Sequence, residues 1–332
     1  MLNQTTLNPL QTGKNLLAFS AGGDSTALFF LLLEHNIKFD IAIVDYNLRK
    51  QSKKEVEYAQ QLAESHNLTC HLFTAQTIEK NMEATARKIR YDFFHSLIET
   101  YSYNTLLTAH HLGDRFEWML MQFCKGAGCA ELSNMKPIQK REHYTLIRPL
   151  LHLDKSELFE YLHTNNIHYF EDESNLDMEI KRNEFRHKHS LPLLEKYRSG
   201  IEKSFDYIDE DIESLIEDVR VETVGDFAYF KSSKSRRGDI FAIDKYLKSQ
   251  KHIITAKERE LLKKEVTTIV GRKFVVNFDE RRTVFIAPYI TQNFSMESHF
   301  KEECRVLKIE PKLRKFLALH LEAFLVVKDE LN

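Results

Sequence analysis

The chain has 332 residues, enough for one large domain or two ordinary ones with full cores. Its 42% hydrophobic and 29% charged residues, with 23 Phe and 13 Tyr, exclude a disordered chain. No apolar run is long enough to span a bilayer and the N-terminus has no signal-peptide pattern, so a cytoplasmic protein without membrane association is expected, while a formal net charge of −2 leaves nucleic-acid binding to local clusters.

The first apolar run, Leu16 to Phe19, reads as a buried strand, and a glycine turn then leads into an apolar helix ending near Leu32. Such strand-to-helix turns hold phosphates, because backbone N–H groups and the positive end of the helix dipole converge there. The kinase-type loop G-x-x-x-x-G-K-[ST] carries a lysine that reaches the outer phosphates. This turn has none. Ser20, Gly22, Gly23, Asp24 and Ser25 instead offer hydroxyls, bare backbone and one carboxylate, a set suited to gripping pyrophosphate through Mg²⁺. The competing explanation is that Asp24 or Ser25 only caps the helix.

Further strands are expected at Phe39 to Val44, Thr69 to Phe73 and Thr105 to Thr108, with helical periodicity between them at Lys53 to Ser65 and Glu83 to Glu99. This alternation predicts an α/β fold built on a doubly wound parallel sheet. Ligands in such sheets bind beyond the carboxyl ends of the strands, which brings together Ser20 to Ser25, Asp45 to Arg49 and His110 to Asp114. Glu83, Arg87 and Arg90 are spaced by four and three residues and share a helical face, as do Arg182 and Arg186 within the basic run Lys181 to His189. His110 and His111 are neighbours pointing to opposite sides, with no third ligand at metal-binding spacing. The cysteines, Cys70, Cys124, Cys129 and Cys304, suit neither a zinc ribbon nor a redox pair.

From Leu191 a long amphipathic helix begins, followed by the short alternating runs "FAYFK", "DIFAI", "KFVVNF" and "TVFIA". The organisation expected is a catalytic domain over 1–190, a linking helix over 191–218 and a smaller α+β domain over 219–332. The last carries a second basic run, Lys231 to Arg237.

Ser20 to Ser25 resembles the S-G-G-x-D-S loop of the ATP-pyrophosphatase (PP-loop) superfamily. Four further stretches resemble the tRNA(Ile)-lysidine synthase family in particular: "NMEATARKIRY", "TAHHLGDRFE", "RPLL" and "EDESNLDMEIKRNEFR" leading to "LP". After Pro192 only the general layout is shared. Ala21 stands where the loop's first glycine is usual, which suits a residue without positive φ. Tyr46 and Asn47 replace His-Gly, and Gly113, Arg115 and Trp118 replace Asp, Gln and Thr.

The resemblance implies an ATP-dependent ligase that adenylates the C2 oxygen of the wobble cytidine, position 34, in an isoleucine tRNA with a CAU anticodon. The side-chain amine of free L-lysine then displaces AMP. It implies ATP binding by Ser20, Ala21, Gly22, Gly23, Asp24 and Ser25, with Asp24 as a ligand of Mg²⁺. His110 or His111 would take the proton of the lysine amine, whose pKa in water is about 10.4. Asp114 and Glu117 would attract the ammonium, and Arg87 would face the nucleotide or the reacting cytidine. Glu83, Arg90, Asn175, Arg182, Asn183 and Arg186 would approach tRNA, together with Lys231, Lys234, Arg236 and Arg237 of the second run. A homodimer stays open. The alternatives on the same loop are a tRNA thiolase, which needs reactive cysteines at paired or cluster-binding spacing, and a small-molecule amide ligase, which has no use for basic runs in a second domain.

Overall fold

The computed structural model describes residues 1–47, 51–75, 82–171, 180–215, 219–233 and 235–331, with the side chains of residues 82, 83 and 215 outside that description. The chain divides into two compact units, Met1–Asp209 and Glu210–Asn332.

In the first unit, α1 (Gln4–Gln11) precedes β1 (Asn15–Ala18), the glycine turn and α2 (Gly23–Glu34). Then come β2 (Phe39–Asp45), α3 (Ser52–Ser65), β3 (Cys70–Thr74), α4 (Met82–Tyr101), β4 (Thr105–Leu107), α5 (Leu112–Phe123) and α6 (Cys129–Leu132). β5 (Ile138–Lys140), β6 (Thr145–Ile147), α7 (Lys155–Thr164), α8 (Lys181–Phe185), a π-helical turn (Arg186–Ser190) and α9 (Leu191–Leu215) follow. The sheet order is β3-β2-β1-β4-β6-β5. Five strands run parallel; β5 pairs antiparallel with β6 at the edge. β5 and β6 escape a sequence reading because each has three residues, too few to show a period.

α2 is buried along most of its length, which explains its nearly continuous apolar sequence. Phe29 at its centre is fully buried and meets Phe19 and Phe39 at ring distances of 5.7 and 5.3 Å. This packing holds the glycine turn rigidly at the carboxyl end of β1. The first unit takes in most of α9, beyond the expected boundary at 190, because Leu194 and Phe205 pack on Leu112 and Phe116 of α5. Asp209 also accepts a 2.6 Å hydrogen bond from the Arg115 guanidinium, which lies over the Phe205 ring.

The second unit contains β7 (Glu222–Val224), β8 (Phe227–Lys231), α10 (Arg236–Ser249), α11 (Ala256–Lys264), β9 (Thr267–Val270), β10 (Phe274–Phe278) and β11 (Thr283–Pro288). It ends with α12 (Ser298–Val306), α13 (Pro311–Leu319) and α14 (Leu321–Leu331). Its antiparallel sheet has the order β7-β8-β11-β10-β9. Alternate residues feed two cores: Phe227, Val275 and Phe285 pack toward α12 to α14, while Phe230, Val276 and Ile286 pack toward α10 and α11. One expectation is corrected here. "DIFAI", grouped with the alternating runs, lies in α10, where Ser235 caps the helix by accepting from Gly238 N–H and Ile240 and Ile243 are buried three residues apart. Among the described residues no helix is long and apolar enough to cross a membrane.

Candidate active site

The glycine turn is organised by its hydroxyls. Ser25 Oγ accepts from Ser20 N–H at 3.2 Å, donates to the Gly22 carbonyl at 3.0 Å and lies 3.1 Å from Ser20 Oγ. Ala21 has φ +59°, contrary to the expectation of a negative angle. The strained backbone is held from outside: the Ala21 carbonyl accepts a 2.9 Å bond from Phe170 N–H. At Gly23 a Cβ would come within 2.8 Å of the Phe159 ring, so only glycine lets α7 close against the loop.

Asp24 lies in the first turn of α2 and makes no capping bond; the cap position is Gly22. Among the described residues its Oδ1 is buried without a hydrogen-bond partner, and its Oδ2 is 3.9 Å from His111 Nε2. A buried carboxylate oxygen left unpaired is costly unless a ligand or ion completes it. Helix capping therefore does not account for Asp24. The turn opens on a cleft of about 430 Å³ lined also by His111, Gly113, Lys155, Phe159, Arg186 and His187. Lys155 had no place in the sequence reading. The capping box Asp154-x-x-Glu157 was the legible signal that a helix N-terminus follows "RPLL". The Lys155 ammonium, 5.0 Å over the Phe159 ring, supplies from α7 the cation that the loop itself lacks.

The two histidines separate in role. His111 is the N-cap of α5: its Nδ1 accepts from Gly113 N–H at 3.0 Å, which fixes the proton of the neutral ring on Nε2. That Nε2 faces Asp24 Oδ2 and, at 3.5 Å, Asp114 Oδ2. A Cβ at position 113 would lie 2.7 Å from the His111 ring as it stands. His110 instead has its Nδ1 2.8 Å from Thr108 Oγ1. Burial, reinforced by Arg148, Arg182 and Arg87 against the opposing charge of Asp114, lowers its pKa to about 4. It is a neutral imidazole at physiological pH.

Asp114 and Glu117, expected to face a substrate ammonium, face arginines. Arg182 Nη2 and Arg186 Nη2 lie 2.8 and 3.0 Å from Asp114 Oδ1, Arg186 Nε is 2.9 Å from Glu117 Oε2, and Arg182 Nε donates to Glu117 Oε1. Burial pushes the Asp114 carboxyl up, but His111, His110 and the two arginines outweigh it and hold the group well below the usual range. The same network occupies two arginines expected at tRNA. Asn183 is buried beside them.

Arg87 is exposed with its guanidinium 4.7 Å from the Tyr91 ring centroid, and Arg90 lies half-buried within electrostatic reach of the Tyr46 hydroxyl. In the second unit, Lys231 pairs with Glu330 at 2.5 Å, and Arg236 donates to the carbonyls of Leu262 and Glu265 while covering Phe278. Arg237 is exposed. Arg49, Asn175, Lys234 and the Glu83 side chain lie outside the described residues.

A mostly parallel sheet whose first strand ends in a lysine-free serine–glycine cradle with one free carboxylate has the architecture of PP-loop ATP-utilising domains, and residues 2–193 match the family described as PP-loop domain. A U34-tRNA thiolase, NcsA from Methanococcus maripaludis with its [4Fe-4S] cluster, shares the fold at a TM-score of 0.52 and 16% identity, over 65% of this chain and 76% of that one. The chain is 41% identical to the tRNA(Ile)-lysidine synthase of Helicobacter pylori over 315 residues, 95% of this chain and 92% of that protein. It is 42% identical to that of Wolinella succinogenes over 309 residues, 92% and 93% of the two chains. The protein belongs to the tRNA(Ile)-lysidine synthase family.

Proposed function

We propose that this protein ligates free L-lysine to C2 of the cytidine at position 34 in an isoleucine tRNA with a CAU anticodon, consuming ATP. The cytidine O2 attacks the α-phosphorus of ATP and pyrophosphate leaves; the lysine amine then adds at C2 and AMP leaves. The observation that carries this reading is the unpartnered buried oxygen of Asp24 in a cradle fitted to pyrophosphate, within a chain related over nearly its whole length to enzymes of that name.

The cradle would supply backbone N–H groups to the leaving pyrophosphate, and Lys155, which lines the same cleft, would supply a cation. The site fits Mg²⁺, because Asp24 Oδ1 is a hard oxygen donor with no other partner. Among the described residues no three His, Cys, Asp or Glu side chains cluster to hold a metal alone, so an ion at Asp24 would take its other ligands from phosphate and water. Bound there, it would neutralise charge on the departing pyrophosphate.

His110 is the base in this reading. It is neutral, whereas His111 Nδ1 already accepts from Gly113 N–H and its Nε2 faces two carboxylates. His111 instead orients Asp24. The enzyme would work in the cytoplasm with its tRNA and lysine, and sedimentation of the full chain distinguishes monomer from homodimer.

Incorporation of labelled lysine into tRNA with a CAU anticodon, alongside ATP/pyrophosphate exchange, tests the reading; absence of incorporation by the unaltered protein overturns it. A thiolase is not favoured, since Cys124 and Cys129, five residues apart, have neither paired nor cluster-binding spacing. Changing both to Ala is expected to leave lysine incorporation within about twofold of the unaltered protein.

A further inference from the structure

Arg148 lies one residue beyond β6, at the same carboxyl edge of the sheet as the glycine turn after β1 and His110 after β4. Only 7% of it is exposed. A guanidinium carries five N–H donors in two forks. Nη1 donates to the Lys136 carbonyl at 2.7 Å, and Nη1 and Nη2 share the Gln139 side-chain oxygen at 3.5 and 3.4 Å. Nε is buried and has no partner among the described residues. The fork formed by Nε and the remaining Nη2 proton is therefore unused, and the acceptors that are present are neutral.

Among the described residues the hydrogen-bond partners of Arg148 include no acid. Arg141 and Arg87 act on it as like charges, with Tyr91 and Tyr144 as phenolic neighbours. Burial, with the two arginines, lowers its pKa to about 10, which still leaves it charged at neutral pH. A buried cation among cations is expensive unless an anion joins it, and the Nε/Nη2 fork matches a carboxylate in two parallel hydrogen bonds. Arg148 and Arg87 also both act on His110, so this positive cluster borders the proposed base.

Three anions meet this enzyme under the proposed function. The phosphates of ATP have their cradle at β1, two strands away across β4. Phosphates of the tRNA backbone are bulky and solvated, and reach exposed side chains such as Arg87 rather than a residue as buried as Arg148. The α-carboxylate of the amino acid is small and planar. We propose that Arg148 binds the α-carboxylate of the incoming amino acid. The three strand ends then form an ordered row: leaving group at β1, base at β4, carboxylate anchor at β6. An amino acid anchored at β6 presents its distal amine back across His110 toward the nucleotide side, which makes Arg148 a determinant of specificity for an amino acid over a simple amine.

The inference rests on the lysine-ligating reading, and the test separates the two. Incorporation into tRNA is measured for lysine and for cadaverine, which is lysine without its carboxylate. Charge-assisted hydrogen bonding of this kind discriminates by roughly 10- to 100-fold. The unaltered protein should therefore favour lysine in kcat/KM by about that factor, and Arg148→Met should bring the lysine-to-cadaverine ratio close to one, mainly through the KM for lysine. Because a buried variant can fail to fold, Arg148→Lys is measured in parallel and should lower the ratio by several-fold. A ratio that stays at its original value in folded variants overturns the carboxylate site alone. Failure of the unaltered protein to incorporate either amine overturns the lysine-ligating reading and this assignment with it.

Discussion

Asp24 shows what a single residue carries. Its Oδ1 is buried and unpaired, so the carboxylate costs stability in the free protein and recovers that cost only when something charged binds. Asp24→Asn is expected to leave the melting temperature unchanged or raise it while lowering adenylation about 100-fold or more, measured by pyrophosphate release from a variant with native circular dichroism. His110 provides the second residue-level expectation. Its pKa falls from 6.5 in a free side chain to about 4 in the fold, so the unfolded state binds more protons between these values. Its contribution to stability is present above pH 6.5 and is lost as pH falls toward about 4. Thermal unfolding should thus decline more steeply over that window in the unaltered protein than in His110→Gln. The same variant should retain adenylation and lose lysine transfer by about 100-fold or more. Equal loss of both steps would remove His110 from the role of base.

At the scale of elements, α5, α8 and the π-helical turn after it are joined by the Asp114, Glu117, Arg182 and Arg186 network. Glu117 has only 2% of its side chain exposed, so removing it takes one of two carboxylates from both guanidinium groups, which keep Asp114. Glu117→Ala should destabilise the first unit by about 3–5 kcal/mol, as breaking a buried pair does, and denaturant unfolding measures it. α7 contributes differently. Lys155→Met should raise the KM for ATP and weaken product inhibition by pyrophosphate by about 10-fold with little change in stability, since the ammonium is half-exposed and rests on an aromatic ring. Unchanged pyrophosphate inhibition would limit Lys155 to packing on Phe159.

At the scale of the whole molecule, the basic run Lys231 to Arg237 divides by environment. Lys231 is committed to Glu330, and Arg236 ties the start of α10 to the end of α11 through backbone carbonyls. Arg237 projects from the same turn into solvent. Arg237→Ala should raise the KM for tRNA and reduce the slope of log affinity against log salt by about one phosphate contact, ~0.7–0.9, without altering the melting temperature. Arg236→Ala should lower the melting temperature of the second unit and leave the salt slope alone. The reverse pattern would exchange their roles.

The sequence by itself determined the alternating strands and helices, the lysine-free serine–glycine turn after the first strand and the sheet edge on which it lies. These are local properties: burial on both faces makes a strand apolar throughout, and a missing Cβ marks a turn wherever it occurs. Spacing also put Arg182 and Arg186 on one helical face. What spacing could not show was that this face meets Asp114 and Glu117, 65 or more residues earlier in the chain, rather than nucleic acid. Nor could it distinguish two adjacent histidines, whose roles follow from which nitrogen a backbone N–H occupies. Lys155 lines the cleft, and Arg148 shares a sheet edge with His110, only because α7 and β6 fold back beside β1 and β4. Partners, burial and the charge of a neighbour arise from residues distant in the chain, and only the tertiary structure decided them.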